Sequence, residues 1–179
     1  MQSMELAILD WIQVNMRTPF LDKVVPVFTR FNDNGELWII LAILLILFKK
    51  HRKAGFSVIV GLLFDLVACN VVLKPLIGRI RPFMVNTAIE LLVEAPTSAA
   101  FPSGHTASSF AAVGALWACG SPFWKPVGVV AILIAFSRMY LYVHWPTDIL
   151  GGIILGWACG YFGAKLILFI TKKLEKKKQ

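Results

Sequence analysis

Apolar runs separated by short polar clusters set the plan of this chain. Beyond residue 34 there are five of them, at 35–48, 54–73, 105–119, 126–143 and 149–170. A helix needs about 20 mostly apolar residues to cross a bilayer core. The runs therefore predict five transmembrane helices, the first short enough to require tilted packing or local thinning of the bilayer. Residues 4–31 follow another pattern. Leu6, Leu9, Ile12 and Met16 recur at helical spacing, with Glu5, Asp10, Gln13 and Arg17 between them. Thr18-Pro19 breaks this run, and a second short helix is expected from Phe20 to Phe31. Both are expected to lie in the plane of the membrane interface. The predicted fold is an all-α polytopic membrane bundle in a single domain. It has interfacial helices in 1–34, a transmembrane core in 35–170 and a basic tail in 171–179.

Composition agrees with the pattern. The chain is 58% hydrophobic and has a mean hydropathy of +0.72, against roughly 45–50% apolar residues in soluble domains. Cys69, Cys119 and Cys159 all lie in apolar runs without metal-ligand spacing, and are expected to pack as small hydrophobes. The first residues mix Glu5 and Asp10 with apolar positions, so no cleavable signal peptide is expected. The net charge of +8 raises the question of nucleic acid, and its distribution answers it. With five spans, Lys49, Lys50, Arg52, Lys53, Lys125 and the tail lysines share one face. The positive-inside rule makes that face cytoplasmic. The C-terminus is then cytoplasmic, in a multi-pass protein of the cell membrane, and no nucleic-acid partner is implied.

The opposite, outer face collects the chemistry. Lys74 and Arg81 follow the end of the second run, Pro102-Ser103-Gly104-His105 opens the third, Arg138 lies near the end of the fourth, and His144 and Asp148 precede the fifth. Charge beside a membrane span is costly and marks function. Arg81 and Arg138 can fork onto phosphate oxygens, and Lys74 adds a point charge. Pro75 is expected to stop the helix after Lys74. Ser103 suits an N-cap and Gly104 a close backbone approach, at a helix start able to bind an anion. If helical geometry begins at Pro146, Asp148 faces back to His144 and fixes its tautomer, leaving the other ring nitrogen free as a nucleophile. His105 remains as the proton carrier for a leaving oxygen. His105, His144 and Asp148 could also be read as metal ligands. The surrounding cations and the lack of a carboxylate cage argue for a site without metal or other cofactor.

These segments resemble the three-part signature of the type 2 phosphatidic acid phosphatase superfamily. Six residues separate Lys74 from Arg81-Pro82, Pro102-Ser103-Gly104-His105 follows, and Ser137-Arg138 precedes His144 by five residues and Asp148 by three more. The resemblance covers 74–148. It implies a metal-independent phosphatase that forms a phosphohistidine on His144, with Asp148 orienting it and His105 as general acid. It implies that Lys74, Arg81, Ser103, Gly104 and Arg138 hold the phosphate. It also implies a lipid phosphate substrate of the undecaprenyl diphosphate, phosphatidylglycerol phosphate or phosphatidic acid class. Phosphoryl transfer to another acceptor, and lipid-phosphate binding or transport without catalysis, stay open as alternatives.

Three further features accompany the site. Asp65 and Asn70 sit inside the second run. A neighbouring helix is expected to satisfy Asp65, and Asn70 is expected to hydrogen-bond between helices; a relay or lipid-gating role for Asp65 is the other reading. Gly152, Gly156 and Gly160, extended by Ala164, form a small-residue stripe that suits close packing within the chain, with a dimer interface as the other reading.

Overall fold

The computed structural model describes residues 2–176. Lys177 and Lys178 of the predicted tail lie outside the described residues. The described residues are helical throughout, joined by loops and without a strand.

Helices α1 (Gln2–Met16) and α2 (Pro19–Arg30) form the N-terminal pair. Between them Thr18 is extended, and its hydroxyl accepts from the Leu21 N–H at 3.1 Å. Pro19 fills the first turn, where its missing N–H costs nothing. The buried face of α1 is Glu5, Leu9 and Ile12. Glu5 therefore belongs to the inner face, against the polar-face reading of the sequence, and Met4, Ile8 and Trp11 are exposed. Both helices lie over one end of the bundle. Gln13 donates to the Tyr140 carbonyl at 2.8 Å, and Leu9 packs with Ala100, Tyr142 and Trp145.

The core is built from α3 (Glu36–Leu47), α4 (Arg52–Asp65), α7 (Gly104–Ala118), α8 (Trp124–Tyr140) and α9 (Pro146–Lys176). Two helical runs, Arg52–Val85 and Pro146–Lys176, are long and apolar enough to cross a membrane. At 12 residues α3 is about 18 Å long. Between α4 and α5 (Lys74–Ile77) the backbone widens into a π-helix, Leu66–Leu73. Pro75 does not stop this helix as expected. It sits in the first turn of α5, and Gly78 ends the run in the left-handed conformation (φ 58°). A proline ring clashes with the carbonyl four residues back in an α-helix. Here the Lys74 N–H bonds the Cys69 carbonyl five residues back, and this wider turn relieves the clash.

Short α6 (Pro82–Val85) leads into the long loop 86–103, which returns to α7. Helix α7 is the centre, buried from Ala111 through Leu116 without interruption. The small-residue stripe of α9 faces it. A Cβ added to Gly156 would collide with the Ala107 carbonyl, so glycine there lets the two backbones touch. At one end His51 packs on Phe123 (5.2 Å between rings), and Lys53 of α4 pairs with Glu175 of α9 (2.9 Å). The other end carries the three chemical segments.

Candidate active site

Three cations converge there from separate elements. Arg81, in the extended residue before α6, is held by carbonyls: Nε donates to Ser98 O and Nη1 to Val143 O, both at 2.8 Å. Arg138, in the last turn of α8, donates from Nη1 to Thr29 Oγ1 at 2.8 Å. The Lys74 ammonium lies 3.4 Å from Ser98 Oγ. Arg81 and Arg138 are 3% and 5% exposed. Among the described residues, none of the three cations forms an ion pair, and Arg138 Nε is buried without a partner. Buried cations without counter-charges are costly. A bound anion with several oxygens would satisfy them together.

His144 stands at the edge of this cluster. It follows a tight turn in which Tyr142 adopts a positive φ of 59°, rare for a bulky side chain. The Tyr142 hydroxyl donates to Asp10 of α1 and accepts from Asn86 at 3.2 Å. That turn leaves His144 Nε2 3.3 Å from Arg81 Nη1 and Nδ1 3.4 Å from Asp148 Oδ2. Arginine can only donate, so this contact suits the tautomer with the lone pair on Nε2 and the proton on Nδ1, which faces Asp148 Oδ2 without a hydrogen bond. That is the tautomer a nitrogen nucleophile needs. Burial, reinforced by Arg81, Arg138 and Lys74, holds the His144 imidazole well below its ordinary range, which favours the neutral ring.

Asp148 lies in the first turn of α9, as the spacing predicts. Its Oδ2 accepts the Trp145 N–H at 2.9 Å, and its Oδ1 accepts Arg79 Nη1 at 2.6 Å. His105 opens α7, and its Nε2 lies 3.0 Å from Asp33 Oδ1. Gly104 faces Lys74; a Cβ there would stand 3.4 Å from the ammonium. Ser103 departs from expectation. It holds the N-cap position, but its hydroxyl accepts from Thr106 Oγ1 at 3.0 Å and makes no cap to the backbone. Fully buried behind the site, it does not line the cavity. That cavity, about 870 Å³, brings together Lys74, Arg81, Gly104, His105, Arg138 and His144. Among the described residues, no three His, Cys, Asp or Glu side chains are grouped to hold a metal ion.

The spacing of these residues is the mark of one family, whose pattern, described as the PAP2 superfamily, matches residues 51–172. The chain belongs to the PAP2 superfamily. An undecaprenyl-diphosphatase of Sulfolobus acidocaldarius is 36% identical over 67% of the chain, which spans 58% of that relative's length. A lipid A 4'-phosphatase of Bacteroides thetaiotaomicron is 30% identical over 92% of the chain and 76% of its own. In structure, the chain is similar to a transmembrane PAP2-type phosphatidylglycerolphosphate phosphatase from Bacillus subtilis. That likeness has a TM-score of 0.73 and 28% identity, over 96% of this chain and 86% of that one.

The PAP2 match begins at residue 51, and several groups that support the site lie outside it or were not singled out from sequence. Thr29 binds Arg138 and Asp33 binds His105. Asn32 donates to the His105 carbonyl at 3.1 Å. Arg79 bridges Asp148 to Glu5, with Nη2 2.7 Å from Glu5 Oε2, and Glu5 Oε1 accepts the Thr147 hydroxyl at 2.6 Å. One signal was available. Glu5 shares the helical face of Leu9 and Ile12, and an acid on an inner face calls for a cation such as Arg79. Thr29, Asn32 and Asp33 carry no such mark: Thr29 sits in the expected second helix, and a polar pair such as Asn32-Asp33 before an apolar run reads as a linker.

Proposed function

We propose that this PAP2 chain is a metal-independent membrane lipid phosphatase that works through a phosphohistidine on His144. The observation that carries the reading is the His144 ring. Its Nε2 is turned to Arg81 and its Nδ1 to Asp148, at the wall of a cavity that also holds Lys74, Arg138 and His105. In the first step Nε2 attacks phosphorus while the bond to the leaving oxygen breaks. His105 gives that oxygen its proton, and the Asp148 carboxylate stabilises the imidazolium that forms. In the second step water attacks phosphorus and the P–N bond breaks. His105 takes the water proton, which restores both histidines. The three cations carry the charge that builds on the phosphoryl oxygens, with Gly104 leaving room for them. Relatives named for undecaprenyl diphosphate, lipid A and phosphatidylglycerol phosphate support a lipid substrate.

The proposed placement has α3, α4, α7, α8 and α9 as five spans, α1 and α2 at the interface, and the site on the extracytoplasmic face. The basic loops at the opposite end support this orientation. The test is phosphate release by purified protein from polyprenyl and glycerolipid phosphates, with and without EDTA. Turnover that survives EDTA, is blocked by vanadate and disappears in His144→Ala is expected. Loss on chelation with recovery by Mg²⁺ would refute the metal-free reaction.

A further inference from the structure

The cavity does not end at the cations. It continues down the α4 wall between apolar residues, Ile39, Ile59, Leu62, Leu63 and Leu66. Asp65 lies in this greasy part. It is 4% exposed, its Oδ1 is buried without a partner, and no hydrogen bond or ion pair reaches it among the described residues. The expected neighbouring helix does not satisfy it. Nor does Asn70 bridge helices as expected; it too lines the cavity. A carboxyl group in an apolar wall costs free energy unless something donates to it.

The backbone has been altered to put it there. Asp65, Asn70 and Lys74 all line the cavity, spaced five and then four residues apart. In an α-helix residues five apart point about 140° away from each other. The π-helix Leu66–Leu73 bonds each residue to the fifth one back, which brings Asp65 and Asn70 towards one face. Such helices make up well under about 1% of residues and recur at functional sites. The result is a polar ladder on the tail side of the phosphate site. Among the described residues Asp65 forms no ion pair with Lys74, whose ammonium lies 3.4 Å from Ser98 Oγ.

We propose that Asp65 and Asn70 form a subsite for a hydrogen-bond donor on the substrate, a hydroxyl or amide N–H between the phosphate and the hydrocarbon chains. Asp65 and Lys74 are nine residues apart on one run, about 13 Å along a helix axis, a distance that the Lys74 side chain and the phosphate partly fill. The inference rests on the lipid phosphatase reading and narrows its substrate class. A polyprenyl diphosphate is bare hydrocarbon beyond its phosphates and has nothing to offer this subsite.

The test uses the full chain in mild detergent and a matched pair of two-chain phosphomonoesters. Ceramide 1-phosphate carries an amide N–H and a hydroxyl beside the phosphate; phosphatidic acid carries neither. The wild-type kcat/KM ratio should favour ceramide 1-phosphate by roughly three- to tenfold, as expected for one buried hydrogen bond. In Asp65→Leu the ratio should fall to about one, with Asp65→Asn between. Thermal unfolding guards against a folding defect: relief of the unpartnered carboxyl should leave the Tm of Asp65→Leu equal or higher. Binding of the two lipids to His144→Ala and to His144→Ala/Asp65→Leu, read by native mass spectrometry, gives the same comparison without turnover. A ratio unchanged by Asp65→Leu in turnover or binding, or a lowered Tm, would overturn the subsite. Absent turnover with an Asp65-dependent binding preference would overturn the phosphatase reading and leave the subsite standing.

Discussion

Replacing Arg79 with methionine removes the cation between two buried carboxylates while keeping a chain of similar length. Arg79 makes three short charge-assisted bonds: to Asp148 Oδ1 at 2.6 Å, to Thr147 Oγ1 at 2.6 Å and to Glu5 Oε2 at 2.7 Å. The Asp148 side chain is fully buried and that of Glu5 nearly so, whereas Arg79 is 25% exposed. Removing one partner of a buried pair typically costs 3–5 kcal/mol, and the partial exposure of Arg79 argues for the lower end, about 3 kcal/mol. Part of the loss reaches catalysis, because Asp148 is no longer pinned opposite His144. Arg79→Lys should recover less than half, since an ammonium cannot fork between two carboxylates. Glu5→Gln alone should cost about 1–2 kcal/mol, and combined with Arg79→Met it should cost less than the sum, because the pair shares one interaction. Denaturation of the purified variants in mild detergent gives the stability terms, and kcat on an aryl phosphate gives the catalytic one. An Arg79→Met protein within about 0.5 kcal/mol of wild type, with unchanged kcat, would show that the bridge does not position the site.

Other outcomes follow from the same geometry. A histidine with a lowered pKa keeps its neutral, nucleophilic form to lower pH, so the acid limb of kcat/KM should lie below the ordinary histidine value of about 6.5. Arg81→Gln removes one of the cations responsible and should move that limb to higher pH; a limb that stays or moves down contradicts the electrostatic cause. His144→Ala should abolish turnover on every substrate. His105→Ala should cost roughly 10²–10⁴-fold on a lipid monoester and less on an aryl phosphate or a diphosphate, whose leaving groups need less protonation; equal losses would make His105 a phosphate ligand only. In a variant lacking Cys69, Cys119 and Cys159, a cysteine at exposed Ala95 should react with an impermeant thiol reagent in intact cells, and one at Lys176 should not. The reverse pattern would turn the site to the inner leaflet.

Helix positions were legible because hydropathy reports burial directly: α3, α7 and the N-terminal pair fall within a residue or two of their sequence limits. The motif residues were legible because cations and histidines beside apolar runs have few bland explanations. What could not be read depends on geometry that a linear pattern does not encode. The π-helix needs only one changed hydrogen-bond partner per residue, and Leu66–Leu73 looks like any apolar helix. Ser103 sits where a cap belongs, yet its hydroxyl turns to Thr106. Asp33 meets His105 only because the turn after α2 folds onto the start of α7. In sequence these two residues are far apart and share no period.

The family pattern and the working enzyme have different boundaries. A fragment beginning at residue 51 would retain every motif residue and every long apolar helix. It would leave Arg138 without Thr29, His105 without Asp33 and Arg79 without Glu5. Chimeras joined at the motif boundary would therefore inherit the reactive groups but not the parts that aim them. Swapping residues 1–50 between relatives offers a way to vary activity without altering a single signature position.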